Sequence, residues 1–407
     1  MAAASHAWAF RAGLRRNAFG WKGTRKAIER MNEAVGEIER VARTDPALAG
    51  EGAVLLLEKL SPAVNQIDSS SGALGNATNG VVEKMVPLIA AAPVPRHVRE
   101  KWLERLFKAI QEDDPPYIQS LGEHWGALCA DRAHASQWAD QLLPLVQHVL
   151  ADRRSGAFAY SRSGTLCYSA LFHAGRVDDL LAVLALDPKP YWHDKQWAAK
   201  ALAARGDVDG AVNLMEGLRS RHAPDLALSA VAEQLLLDAG RTEEAYARYG
   251  IQATSANTNI ATFRAIAKRY PGIEPSRILG DLIASTPGEE GKWFATAKTL
   301  KQYDLALALV KRAPVDPKTL VRAARDHVKN QPAFGLEVAL MALYWMARGE
   351  GHELTGSDVG AARDHAVAAA AALGPGTQVS ERIAGNAAGD GTAARWVRQC
   401  LGLKADR

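Results

Sequence analysis

The chain has 407 residues, of which 48% are hydrophobic and 23% charged, and its formal charge is +4. This is enough chain for two or three domains or one elongated repeat array. The apolar share excludes general disorder, and so small a net charge does not mark a nucleic-acid binder. Alanine and leucine abound while β-branched runs are scarce, so the expected fold class is all-α.

The charge is uneven. Residues 1–43 carry nine Lys/Arg against four Glu, leaving the rest of the chain close to neutral. The first part of this region, 11–26, interleaves Arg15, Arg16, Lys22, Arg25 and Lys26 with Phe19 and Trp21. Cations could contact phosphates and an aromatic ring could stack a base, so this basic arm is the candidate anion or nucleic-acid contact. A solvated face with its aromatics docked on the following helices is the plainer expectation. The arm is acid-free until Glu29, and a mitochondrial presequence is conceivable. The Ala/Gly/Arg-rich composition fits the cytoplasm better.

From Thr24 to Val41, Ala27, Ile28, Met31, Ala34, Val35 and Ile38 recur at spacings of three and four, which predicts an amphipathic helix. Pro46 ends it and opens a second helix to about Leu60. These make a helical N-terminal region, 1–67. The stretch 68–80 is dominated by Ser, Gly, Asn and Ala and predicts a loop and a domain boundary. Its glycines lack a lysine, so a connector is expected rather than an anion cradle. Helices are expected again over 81–92 and 96–112, and a helical pair over 117–130 and 135–150, forming a second region, 81–152.

Beyond Arg153 the pattern becomes periodic. Gly175, Gly206 and Gly240 each follow a helix-like run, 31 and 34 residues apart. Five positions after each comes a packing residue, Leu180, Ala211 or Ala245. Weaker units turn at Gly272 and near Lys301, the last without glycine. A glycine that takes a left-handed conformation ends one helix, and a small residue lets the next approach it. Hairpins of this kind bury one face each and need neighbours.

Trp197 to Met215 resembles a tetratricopeptide repeat, with a large residue in its first helix, the Gly206–Asp207 turn, and Ala211 opening its second helix. Leu236 to Tyr249 is similar, with Ala245 and Tyr249 in matching places. The small residue in mid-first-helix is Ala199 here but Tyr168 or Glu233 in neighbouring units. The resemblance covers 153–317 and implies an α-solenoid of stacked antiparallel helical hairpins. It also implies that a partner protein's peptide or helix is held on the repeat surface. The remainder, 318–407, is expected to be a C-terminal helical cap, with a buried helix over 334–348.

Candidate chemistry is sparse. Gly288, Gly291 and Lys292 lie in a run that lacks the spacing and the hydroxyl residue of a phosphate loop, so a capped turn is expected. No histidine pair has metal-binding helical spacing, and no metal or cofactor is expected. Cys129, Cys167 and Cys400 form no C-x-x-C pair, which points to a reducing compartment; the first two are expected in the core. No apolar run is long enough for a membrane helix. The most aromatic stretch, 191–197, contains Tyr191, Trp192, His193 and Trp197. These are the candidate partner-binding residues, because exposed aromatics dominate interface energetics. His193 with Asp194 could act as an acid–base pair, or one of them could cap the next helix. The expected function is therefore a non-catalytic protein–protein interaction scaffold. Nucleic-acid binding through the arm, and an enzyme with no recognisable motif, are the alternatives.

Overall fold

The computed structural model describes residues 6–156, 159–219, 225–374 and 378–403, and these contain helices and no strand. The chain divides into two compact units, 1–224 and 225–407. The division falls inside the periodic stretch, so each unit holds some of its hairpins.

In the first unit the helices are α1 (Phe10–Gly13), α2 (Thr24–Ala42), α3 (Pro46–Val64), α4 (Ala73–Ala91), α5 (Arg96–Gln111) and α6 (Trp125–Leu128). They continue with α7 (Arg132–Arg154), α8 (Ser163–His173), α9 (Val177–Leu184), α10 (Trp192–Ala204) and α11 (Val208–Glu216). The expected stripe of α2 is its buried face: Ala27, Met31, Ala34, Val35 and Ile38. Asp45 caps α3 by accepting from the Leu48 N–H at 2.9 Å, with Pro46 in the first turn.

The expected loop over 68–80 is corrected. Only its first part is loop, and α4 begins at Ala73, behind Gly72 at φ +71°. Asn76, Asn79 and Gly80 are poor helix formers, but Leu74 and Thr78 are fully buried, and that packing outweighs propensity. The expected helix over 117–130 is also shorter: a 3-10 turn, Gln119–His124, followed by the single helical turn α6.

The basic arm is docked. Trp8, Phe10, Leu14 and Phe19 are buried. The Glu37 carboxylate accepts from the Ala9 and Phe10 N–H groups at 2.8 and 3.1 Å. Trp8 lies so close to α3 that a Cβ on Gly52 would stand 2.3 Å from its ring. Further on, buried Arg99 donates to the carbonyls of Ile89, Ala92 and Leu128 at 2.7–3.1 Å, closing the end of α4.

Helices pack chiefly on their chain neighbours. α8 packs on α7 and α9, and α10 packs on α8, α9 and α11. The turns at Gly175 and Gly206 are built alike. Both glycines have positive φ, +73° and +91°. Gly175 N–H reaches Phe172 O and Arg176 N–H reaches Leu171 O; Gly206 and Asp207 repeat this on Ala203 and Leu202. Six-residue closures of this form satisfy the last carbonyls of a helix. Leu180 and Ala211, five residues on, are fully buried.

In the second unit the helices are α12 (Asp225–Asp238), α13 (Thr242–Ala245, running into a π turn, Tyr246–Gly250), α14 (Asn259–Arg269), α15 (Pro275–Ala284), α16 (Phe294–Thr299) and α17 (Tyr303–Arg312). After them come α18 (Pro317–His327), α19 (Pro332–Ala347), α20 (Gly356–Leu373), α21 (Val379–Asn386) and α22 (Thr392–Leu401). The same closure recurs at Gly240, and again at Lys301, which takes φ +60° without being glycine. The large polar residue at mid-first-helix, Glu233, reaches out of α12. Its buried carboxylate accepts from Tyr270 Oη at 2.5 Å and pairs with Arg269 at 2.7 Å. The run 286–293 is the expected turn: Lys292 pairs with Glu289, and Trp293 is buried, donating to Thr286. α19 is apolar all round and buried, packed on α17, α18, α20, α21 and α22.

Candidate functional site

The aromatic stretch follows a linker held by hydrogen bonds. α9 ends at Leu184, and Asp187 turns the chain, its carboxylate accepting from the Lys189 N–H at 2.9 Å and from Arg153 at 2.7 Å. Arg153 also donates to the Ala159 carbonyl at 2.8 Å, and Arg154 to the Leu186 carbonyl at 3.2 Å. The basic end of α7 therefore clamps the segment that launches α10. Charge-assisted bonds of this kind hold geometry well when partly buried.

Tyr191 precedes the first residue of α10 in an extended conformation and is 62% exposed. Its ring centroid lies 6.0 Å from the Arg153 guanidinium carbon. Trp192 is half-buried, edge-on to the His193 ring. Trp197 is only 1% exposed, packed against Phe172 with Lys200 Nζ 4.1 Å from its ring. The expectation that it contacts a partner is therefore corrected. It falls on the core face of α10, where helical periodicity carries it away from Tyr191.

His193 stands 3.7 Å from Asp194 and 3.8 Å from Glu123. Both distances exceed a hydrogen bond, so no acid–base dyad is formed there. The Asp194 carboxylate lies near the Tyr191 N–H at the start of α10. Burial, together with Asp187 nearby, raises the Asp194 carboxyl above the usual range; His193, Arg153 and that N–H oppose the rise.

Tyr191 lines a cleft of about 530 Å³ with Tyr160, Arg153, Arg154, Asp187 and Lys189. Tyr160 is 54% exposed. Three cations and a single carboxylate, itself held by Arg153, give the cleft a positive character. Tyr160 was not foreseen, because it stands alone among serines in a non-helical stretch with no periodicity to mark it.

Of the arm residues, Arg15, Arg16, Trp21, Lys22, Arg25 and Lys26 are all exposed, on or beside the turns that lead into α2. Arg25 pairs with Glu29 at 3.0 Å. Among the described residues no group of three His, Cys, Asp or Glu could hold a metal ion, and no helix is long and apolar enough to cross a membrane.

Comparison with known proteins returns no match. No family model, no curated protein and no solved structure is detectably similar to the chain.

Proposed function

We propose that the chain is a non-catalytic helical scaffold that binds a partner protein through its hairpin region, as a tetratricopeptide-like solenoid would. The observation that carries this reading is the cleft where Tyr160 and Tyr191 are both more than half exposed beside Arg153, Arg154 and Lys189. Tyrosines supply large contact area at low conformational cost, and they concentrate where interfaces gain most of their energy. The cationic lining fits an acidic partner segment, whose carboxylates would meet Arg154 and Lys189 while its apolar side chains lie on the rings. Repetition of one turn geometry at Gly175, Gly206, Gly240 and Lys301 supports the solenoid reading. Three cysteines without a pairing pattern fit a reducing compartment, the cytoplasm.

The test is capture from a lysate of the source cells by the tagged full-length chain, quantified by mass spectrometry. A Tyr160→Ala/Tyr191→Ala variant should lose a defined set of proteins by about tenfold or more, as expected when interface anchors are truncated. Arg15→Ala/Arg16→Ala, which do not line the cleft, should keep that set. Identical capture by the tyrosine variant and the parent would remove the cleft as the binding site.

A further inference from the structure

The basic arm is an ordered platform, and the geometry points to a use for it separate from the cleft. We propose that Trp21 and the exposed, unpaired cations of the same segment, Arg15, Arg16, Lys22 and Lys26, form a docking site for a single-stranded nucleic acid, with one base stacked on the indole and phosphates on the cations.

Residues 8–21, in and just before the arm, contain four large aromatics with opposite fates. Trp8, Phe10 and Phe19 are buried, whereas Trp21 is 67% exposed, the most exposed large hydrophobic side chain among the described residues. Its exposure is not looseness. The Trp21 carbonyl accepts from the Asp68 N–H at 3.0 Å, Thr24 Oγ1 donates to the Asp68 carbonyl, and the Asn17 N–H donates to the Pro62 carbonyl at 2.9 Å. The backbone on both sides of the indole is thus pinned to the end of α3 and the loop after it. A backbone already held in place has no segment left to order when the ring it carries takes up a base.

Charge follows the same division. The nearby acids are occupied: Glu37 by two backbone N–H groups, Glu29 by Arg25, Glu33 by Arg30, and Asp68 by the Ser70 N–H. Arg15, Arg16, Lys22 and Lys26 are exposed and, among the described residues, have no carboxylate within ion-pair distance. An anionic polymer would pair these charges at little desolvation cost. A single strand is favoured over a duplex, because only unpaired bases offer a face to a lone indole. An anionic bilayer fits less well. The immediate neighbours of Trp21 are Gly20 and Lys22, so no second apolar side chain enters the membrane beside it.

Fluorescence anisotropy of a labelled oligothymidylate 12-mer with the full chain tests this. Binding at low salt should weaken with a log–log slope of about −2.8, the value for the four unpaired cations on a single strand at roughly −0.7 each. Trp21→Ala should weaken binding about tenfold or more at an unchanged slope, the loss of one stacked base. Arg15→Ala/Arg16→Ala should flatten the slope by about 1.4. All these side chains are exposed, and an unaltered far-UV circular dichroism spectrum confirms that the variants fold. Three results would each overturn the proposal: no binding at low salt, equal binding by Trp21→Ala, or a blunt duplex bound as tightly as the single strand. Sedimentation with phosphatidylglycerol vesicles while the oligonucleotide stays free would do so too, by assigning the patch to membranes.

Discussion

Arg99 is a charged side chain spent on neutral partners. Burial lowers its tendency to hold a proton, while Cys129 and Asp131 oppose this. Three carbonyls reward the charge instead. Arg99→Ala would strand those carbonyls away from water and should cost about 3 kcal/mol in urea denaturation, with Arg99→Lys recovering only part of it. Asp194 carries the opposite imbalance. Its carboxyl is raised mainly by burial, so the folded chain binds that proton more tightly than the unfolded one. Stability from this group is fully present below the unfolded value of about 3.9 and is lost as pH rises through the folded value. Asp194→Asn, which keeps the shape and removes the charge, should therefore raise the denaturation midpoint at pH 7. The gain should fade as pH drops toward about 4. Neither residue could be singled out from sequence. Arg99 reads as one more cation on a charged helix, because its three acceptors come from α4 and α6, which only the folded chain brings near. Trp197 failed in the other direction: its aromatic neighbours made it look like an anchor, and the face of α10 it occupies sent it inward.

At the scale of elements, turns were more legible than helices. A positive φ is a local demand with a local solution, and glycines at 175, 206 and 240 announced three closures outright. The fourth was visible only as a spacing, since Lys301 does the same work with a Cβ in the left-handed region. Lys301→Gly should remove that strain and stabilise the second unit by about 1 kcal/mol, measured by thermal or urea denaturation. Helix α4 was obscured for a related reason. Its first turns are written in residues that usually make loops, and the burial of Leu74 and Thr78 that holds them helical is a tertiary fact. Tyr160 escaped notice because an exposed residue in an irregular segment leaves no periodic trace. Tyr191 was singled out because it sits in a dense aromatic run, and it is exposed.

For the whole molecule, helix content and the absence of strand among the described residues followed from composition, as did the burial of two cysteines. Cys129 and Cys167 are fully buried, and burial pushes each thiol up to about 12. Cys400 is partly exposed. A thiol reagent at pH 8 should therefore modify one site, Cys400, in the folded chain, and three after denaturation; mass mapping of labelled peptides reads the difference directly. The division into two units was not legible, because the periodic hairpins run through it without a change of composition.

The helix-ending turns carry a consequence for how the chain is made. Each closing bond, from Arg176 to Leu171 or from Asp207 to Leu202, spans five residues. Loops that short close in about 10–100 ns, and contacts between sequence neighbours favour rapid folding. The turn can therefore close before the residues still to be added arrive, while the hairpin it opens waits for a neighbour to cover its apolar face.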